Sequence, residues 1–311
     1  DCMAGVNNDS CTANIAIGVD TLYGGTGALI SCIAIGKNAL NSTTNQAQTG
    51  TIAIGHDALT ALTSGAGNIA IGSQALLQHT TGARNIAIGY GAMNGTGEDD
   101  APTSTDNVFI GYDAGGGSWD DGADSTDDSN FNVGIGNYVM DAAMDGATNN
   151  TAVGYDALGV LTTGIQNTCI GTDAGDSITT GGANTMIGAY TDGAAGSSNQ
   201  ISIGEGAICG AANTICIGNS ITNSATETIK IGLSSDYITN DFGENATWTH
   251  SSDERIKKDV SDSELGLDFI KDLRPVTFKK KAPSEYPEEF DQHDASKTER
   301  KSPDRIHYGF I

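Results

Sequence analysis

Apolar and polar positions alternate in a short phrase that returns along most of the chain. In Asn14-Ile15-Ala16-Ile17-Gly18, two isoleucines flank a small residue, with a polar residue before them and a glycine after. The phrase returns in recognisable form at residues 68–72, 85–89, 132–136, 150–154, 167–171 and 184–188. Counting looser copies, the closing glycines are Gly18, Gly36, Gly55, Gly72, Gly89, Gly111, Gly136, Gly154, Gly171, Gly188, Gly204, Gly218 and Gly232. They are spaced by 18, 19, 17, 17, 22, 25, 18, 17, 17, 16, 14 and 14 residues. Thirteen copies at a period near 17 mark a stacked-repeat architecture.

Alternation with period two predicts a short strand at each phrase. The glycine predicts a corner where the backbone takes positive φ or approaches a neighbour closely. A second, weaker strand is expected after the corner, at 37–40, 56–59, 73–76, 90–93 and 155–158. A polar turn follows, as in Thr80-Thr81-Gly82 or Thr162-Thr163-Gly164. One such coil is too small to hide its own apolar face, so stacking is expected to bury a column of Ile, Leu and Met.

The slot between the two flanking residues holds Ala16, Ala34, Ala53, Ala70, Ala87, Phe109, Gly134, Ala152, Cys169, Met186, Ser202, Cys216 and Lys230. Small or apolar occupants predict a strand covered on both faces. Another copy of the chain is the simplest cover, so Ala16, Ala53, Ala70, Ala87 and Ala152 are expected to face the axis of a homotrimer. A monomeric solenoid with a tight inner corner is the alternative. The fold class is mainly β: a β-solenoid (β-roll) of thirteen coils over 14–232, forming a homotrimeric fibre. A lead-in over 1–13 precedes it, a neck over 233–251 follows, and a small α+β segment occupies 252–311.

Composition divides at the same place. Residues 1–251 carry three basic against 25 acidic residues, and residues 252–311 carry twelve against fourteen. Four of the five prolines also lie beyond 251. So acidic a repeat region excludes nucleic acid, whose phosphates need Lys and Arg, and disfavours anionic membranes. No apolar run is long enough to span a bilayer, so no membrane insertion is expected, and no signal peptide is read at Asp1. The 42 glycines follow no G-X-Y period, which excludes collagen and assigns them to coil corners.

The six cysteines show no Cys-x-x-Cys spacing, so no zinc site is expected. Cys32, Cys169 and Cys216 read as small buried apolar side chains. Cys2 with Cys11, and Cys209 with Cys216, are close enough in sequence to bridge. The repeat swells between Gly89 and Gly136, where insertions at 95–102 and 115–128 interrupt it. Insertions in a solenoid project as loops on one face, often the functional one. Trp119, with Tyr112, Phe131 and Tyr138 nearby, is a candidate sugar-stacking surface, and Asp120 and Asp121 complete a candidate receptor-contact loop. The alternative is a Trp folded back onto its own coil. Asp124, Asp127 and Asp128 lie alongside, but the spacing of these carboxylates matches no calcium loop, and no cofactor or metal is expected.

The pattern changes in the last fifth of the chain. Ser251 and Glu254 form a capping-box pattern, and Leu265, Phe269, Ile270 and Leu273 have helical spacing that stops before Pro275. The strings Ser252-Asp253-Glu254-Arg255-Ile256-Lys257, Leu273-Arg274-Pro275-Val276 and His307-Tyr308-Gly309-Phe310-Ile311 occur in that order. Together they resemble the intramolecular chaperone domain that ends endosialidase-type phage tailspikes and tail fibres, the chain holding the start of that domain. The resemblance implies a domain that trimerises, templates folding of the upstream β-fibre and then cuts itself off. It places the nucleophile on Ser252 and the assisting base on Lys257, with cleavage between Ser251 and Ser252. A lysine serves as base only when burial or neighbouring cations depress its pKa. Residues five apart lie roughly 140° apart around a helix. Ser252 therefore belongs in a lead-in or at a helix start, or Lys257 acts from a neighbouring subunit.

The repeats resemble coils of trimeric bacterial adhesin heads and of many phage tail fibres. Fibre and chaperone together imply an extracellular virion structural protein involved in host attachment. Its expected partners are itself, a host-surface glycan or protein receptor, and other tail proteins. Any enzymatic activity is a single-turnover self-cleavage. A bacterial surface adhesin head is the alternative. A glycan-degrading spike needs two carboxylates across a groove, and no convergent pair is readable. An ice-binding solenoid needs aligned Thr-x-Thr rows, whereas these threonines sit in corners.

Overall fold

In the computed structural model the chain divides into two compact units, Asp1–Ala246 and Thr247–Ile311. The structure describes residues 11–23, 27–42, 47–96, 104–119, 128–243, 275–278, 281–285, 295–296 and 307–310.

The first unit is a β-solenoid. Thirteen strands stack in parallel and in chain order, from Ile15–Ile17 to Thr228–Leu233, and Asp236–Asp241 folds back antiparallel as the fourteenth. The repeat sets the register. Ala152 stands opposite Gly134 on one side and Cys169 on the other, slot against slot.

The slot faces the inside of its own coil, which corrects the expectation that it faces a partner. Ala53, Ala70, Ala87, Phe109, Ala152 and Cys169 are all fully buried within one chain. In most coils their cover is the Leu or Met four residues past the corner glycine, such as Leu40, Leu59, Leu76, Met93, Met140 and Leu158, in the same core cluster, while Phe109 and Cys169 face Gly115 and Gly175 there instead. Each such side chain contributes about 2 kcal/mol by leaving water. Because successive strand residues point to opposite faces, the flanking isoleucines are left outside. Ile15 and Ile17 are 48% and 57% exposed, so the expected buried column contains Leu and Met but not these Ile residues. In the regular coils a small slot residue faces a leucine or methionine, and where Phe109 fills the slot the facing position is Gly115.

The second strand expected at each coil is instead a ladder of turns. Asn38 and Leu40 have φ of 57° and 52°, and Asp57 and Leu59 repeat this at 59° and 50°. Alternating left-handed residues cannot continue a strand. They still bond from coil to coil: the Leu40 N–H reaches the Ala58 carbonyl at 3.0 Å, and the Leu158 N–H the Ala174 carbonyl at 3.0 Å. Where the coils shorten, Asp192–Gly193, Ile208–Cys209 and Thr222–Asn223 do form a second parallel sheet.

Two further ladders lock the stack. The corner glycines run in a column with φ between +116° and +150°, each packed on the carbonyl of the next. Inside, the asparagine that opens each phrase holds the coils together. Asn150 Oδ1 accepts from Asn167 N and Nδ2 at 2.9 and 3.0 Å. Its Nδ2 donates to Asn132 Oδ1 and to the Gly164 carbonyl. The pattern connects Asn68, Asn85, Asn107, Asn132, Asn150, Asn167 and Asn184. The amides of this ladder are thereby bonded to one another and to backbone carbonyls, the condition for burying a polar group without a large penalty.

At the far end Lys230 occupies the slot. Its Nζ donates to the Thr222 carbonyl at 2.8 Å and lies 3.9 Å from the centre of the Tyr237 ring. In the second unit, Pro275–Phe278 pairs antiparallel with His307–Phe310, and Pro283–Glu285 forms a 3-10 turn.

Candidate interaction surfaces

The isoleucines left outside the coils form two rows along the outer face of the main sheet. One row runs from Ile17 through Ile35, Ile54, Ile71, Ile88 and onward to Ile231, with a β-branched aliphatic residue in every strand. The other is Ile or Val except at Thr151, Thr168 and Thr185. Ile71, Ile135, Ile170 and Ile187 are each exposed by 36% or more. A contiguous apolar face on this scale marks a binding surface rather than ordinary solvent-facing protein.

A second strip lies just past the glycine corners. Tyr90 and Tyr112 stack with ring centres 5.4 Å apart and planes within 9°. Tyr112 meets Tyr138 edge-on at 5.3 Å, and Tyr138 meets Tyr155 edge-on at 5.8 Å. Tyr90, Tyr112 and Tyr155 remain substantially exposed. Carboxylates accompany them at close to one per coil. Burial, then the nearby Asp156, pushes the Asp141 carboxyl up to about 6. Burial, then Asp192, does the same for Asp176, also to about 6. Asp113 and Asp156 are raised as well, burial again coming first. Phenol hydroxyls beside carboxylates offer hydrogen bonds to a hydroxyl-rich or cationic ligand and repel an anionic one. Among the described residues no three His, Cys, Asp or Glu side chains come together as a metal site.

The candidate receptor loop is only partly of this kind. Tyr112 belongs to the tyrosine strip. Trp119 does not present a platform: it is buried, its Nε1 donates to the Gly115 carbonyl at 3.1 Å, and its ring meets Phe109 at 67°. The Phe109 ring gives Trp119 an aromatic partner inside the coil, so the Trp folds back onto the stack, the alternative stated for it, rather than forming a sugar-stacking platform. Asp120 and Asp121 lie outside the described residues, as do Ser251, Ser252 and Lys257. The tyrosine strip was missed although three of its members directly follow a corner glycine. Aligning the repeats on Gly89, Gly111 and Gly154 exposes it.

The family described as the chaperone of endosialidase matches residues 252–311. No curated protein and no solved structure matches the chain. Two of the strings that carry the resemblance overlap the paired strands Pro275–Phe278 and His307–Phe310. Among the described residues no helix is long and apolar enough to cross a membrane.

Proposed function

We propose that the chain is the shaft of a homotrimeric viral tail fibre or spike, folded and trimerised by its carboxy-terminal chaperone unit and contributing to host attachment from the virion. The observation that carries this reading is the outer isoleucine face. A partner must cover it for its full length, and a second copy offers a face with the same coil-to-coil spacing. The match at 252–311 supports a chaperone-driven assembly and favours a tail protein over a bacterial adhesin head, which has the coils but no use for that segment. The tyrosine strip is the surface offered to a host glycan or protein, and other tail proteins are the chain's further partners in the virion.

Light scattering on the full chain tests the assembly. Wild type should have three times the chain mass. Ile88→Glu with Ile110→Glu should be monomeric with β-sheet circular dichroism retained, because these side chains lie outside the coil. Ala70→Glu should lose the fold itself, since it buries a charge within one chain. A wild-type protein that stays monomeric at micromolar concentration overturns the proposal.

A further inference from the structure

Near the end of the solenoid the coils shorten to 14 residues. Cys209 lies in Ile208–Cys209 on the second wall, and Cys216 in Ile215–Asn219 of the main sheet. Both are fully buried, and their Sγ atoms stand 3.0 Å apart across the core. With Ala207 and Ile221 they make up a small core cluster separate from the main one. The flanking coils have no equivalent: Gly193 and Asn223 stand in register with Cys209, and Ser202 and Lys230 with Cys216.

We propose that Cys209 and Cys216 are a dithiol that closes to a disulfide, stapling the two walls where the coils are shortest. The class of oxidant is a small-molecule disulfide such as oxidised glutathione. The Cys209 thiolate attacks one glutathione sulfur, releasing one glutathione and leaving a mixed disulfide. Cys216 then attacks the Cys209 sulfur, the protein S–S bond forms, and the second glutathione leaves. Two protein thiols are oxidised, one glutathione disulfide is reduced to two thiols, and the two thiol protons pass to them. Cys209 is the better first nucleophile, because the S–H···S contact with Cys216 favours its thiolate and holds Cys216 protonated. Since both sulfurs are buried, exchange runs while the terminal coils are open, either before they close in folding or when the end of the stack frays.

The neighbouring chain simplifies the test. Asp192 and Asp236 are consecutive aspartates, and Cys209 and Cys216 are the two cysteines between them. Full-length protein refolded with oxidised glutathione is unfolded in the presence of iodoacetamide and then digested with a protease that cuts before aspartate. The peptide 192–235 should appear two hydrogens lighter than its dithiol mass and unalkylated, and should gain two carbamidomethyl groups after reduction. Cys209→Ser and Cys216→Ser should each leave one alkylatable thiol in that peptide. A wild-type peptide that keeps two alkylatable thiols overturns the proposal. So does one that ends as a glutathione adduct, or one cross-linked to a second chain. The wild-type result decides the matter even where a serine variant fails to fold, and it is independent of the trimer.

Discussion

Replacing Gly154 by alanine is expected to be among the most damaging methyl additions this chain can suffer. Gly154 has φ of +146°, and a Cβ built there would overlap the Gly171 carbonyl oxygen and lie 2.6 Å from its carbon. Holding alanine in a glycine-only region costs about 1–3 kcal/mol. The overlap is with backbone, so no side chain can swing aside, and forcing the coils apart costs about 1–3 kcal/mol more. A total near 4 kcal/mol lowers the Tm of a domain this size by roughly 10 °C. Gly50→Ala is the control: φ is +66° there and nothing lies within 4 Å. Only the left-handed backbone is charged against it, about 1 kcal/mol. Circular dichroism melts of both variants measure the difference, and hydrogen exchange should place the weakening of Gly154→Ala in the coils around residues 133–188. If the two variants melt together, the close stacking of the glycine column contributes nothing and the reasoning is wrong.

Asn150→Leu should cost about 2–4 kcal/mol, because Asn167, Asn132 and the Gly164 carbonyl all lose a buried partner; a melt within a degree or two of wild type would show that water replaces the ladder. The raised carboxyls of Asp141 and Asp176 make the folded state bind protons more tightly than the unfolded one, so stability should fall as pH rises from about 4 to about 6. A shift of that size is worth about 3 kcal/mol in a dry site, and solvent screening reduces it to about 1 kcal/mol here. Buried His79 is held below its ordinary 6.5 by desolvation and works in the opposite sense, so the quantity to measure is the difference between wild type and Asp141→Asn, whose slope should be shallower. Self-cleavage, expected from the family resemblance, should convert the assembled chain to a fragment beginning at Ser252 without added protease. Ser252→Ala should abolish it and Lys257→Ala should slow it severely; intact-mass spectra that show the assembled wild-type chain uncut would leave Ser252 without a catalytic role while the chaperone role stands.

Much of the solenoid was legible because its constraints recur. A glycine whose neighbour is the same glycine one coil on must return at every period, and so must an asparagine bonded to its own copies. What misled was direction. Alternation shows that Ala70 and its flanking Ile69 and Ile71 face opposite ways, but not which way is in. The large residue ordinarily wins the interior, yet here the leucine past the corner has already taken that volume. The turn ladder was misread for a related reason: Asp57-Ala58-Leu59 alternates like a strand, while the left-handed φ of Asp57 and Leu59 depends on coil-to-coil bonds that no local pattern announces. Of the two readings of Trp119 the folded-back one holds, and its partner Phe109 lies ten residues earlier in the chain. The asparagine that opens each phrase was visible as a marker, though its role needed the neighbouring coil to be seen.

The direction of the ladder bonds has a mechanical consequence. Every coil-to-coil hydrogen bond points along the stacking axis, so a load applied between the two ends of the solenoid does not shear the strands past one another. It peels the stack open at one coil at a time. Each coil of about 17 residues that lets go releases roughly 50 Å of chain, and the next one meets the load afresh. A stack built this way yields in steps under tension, dissipating work at each step, and re-forms from the coils still stacked once the load is removed.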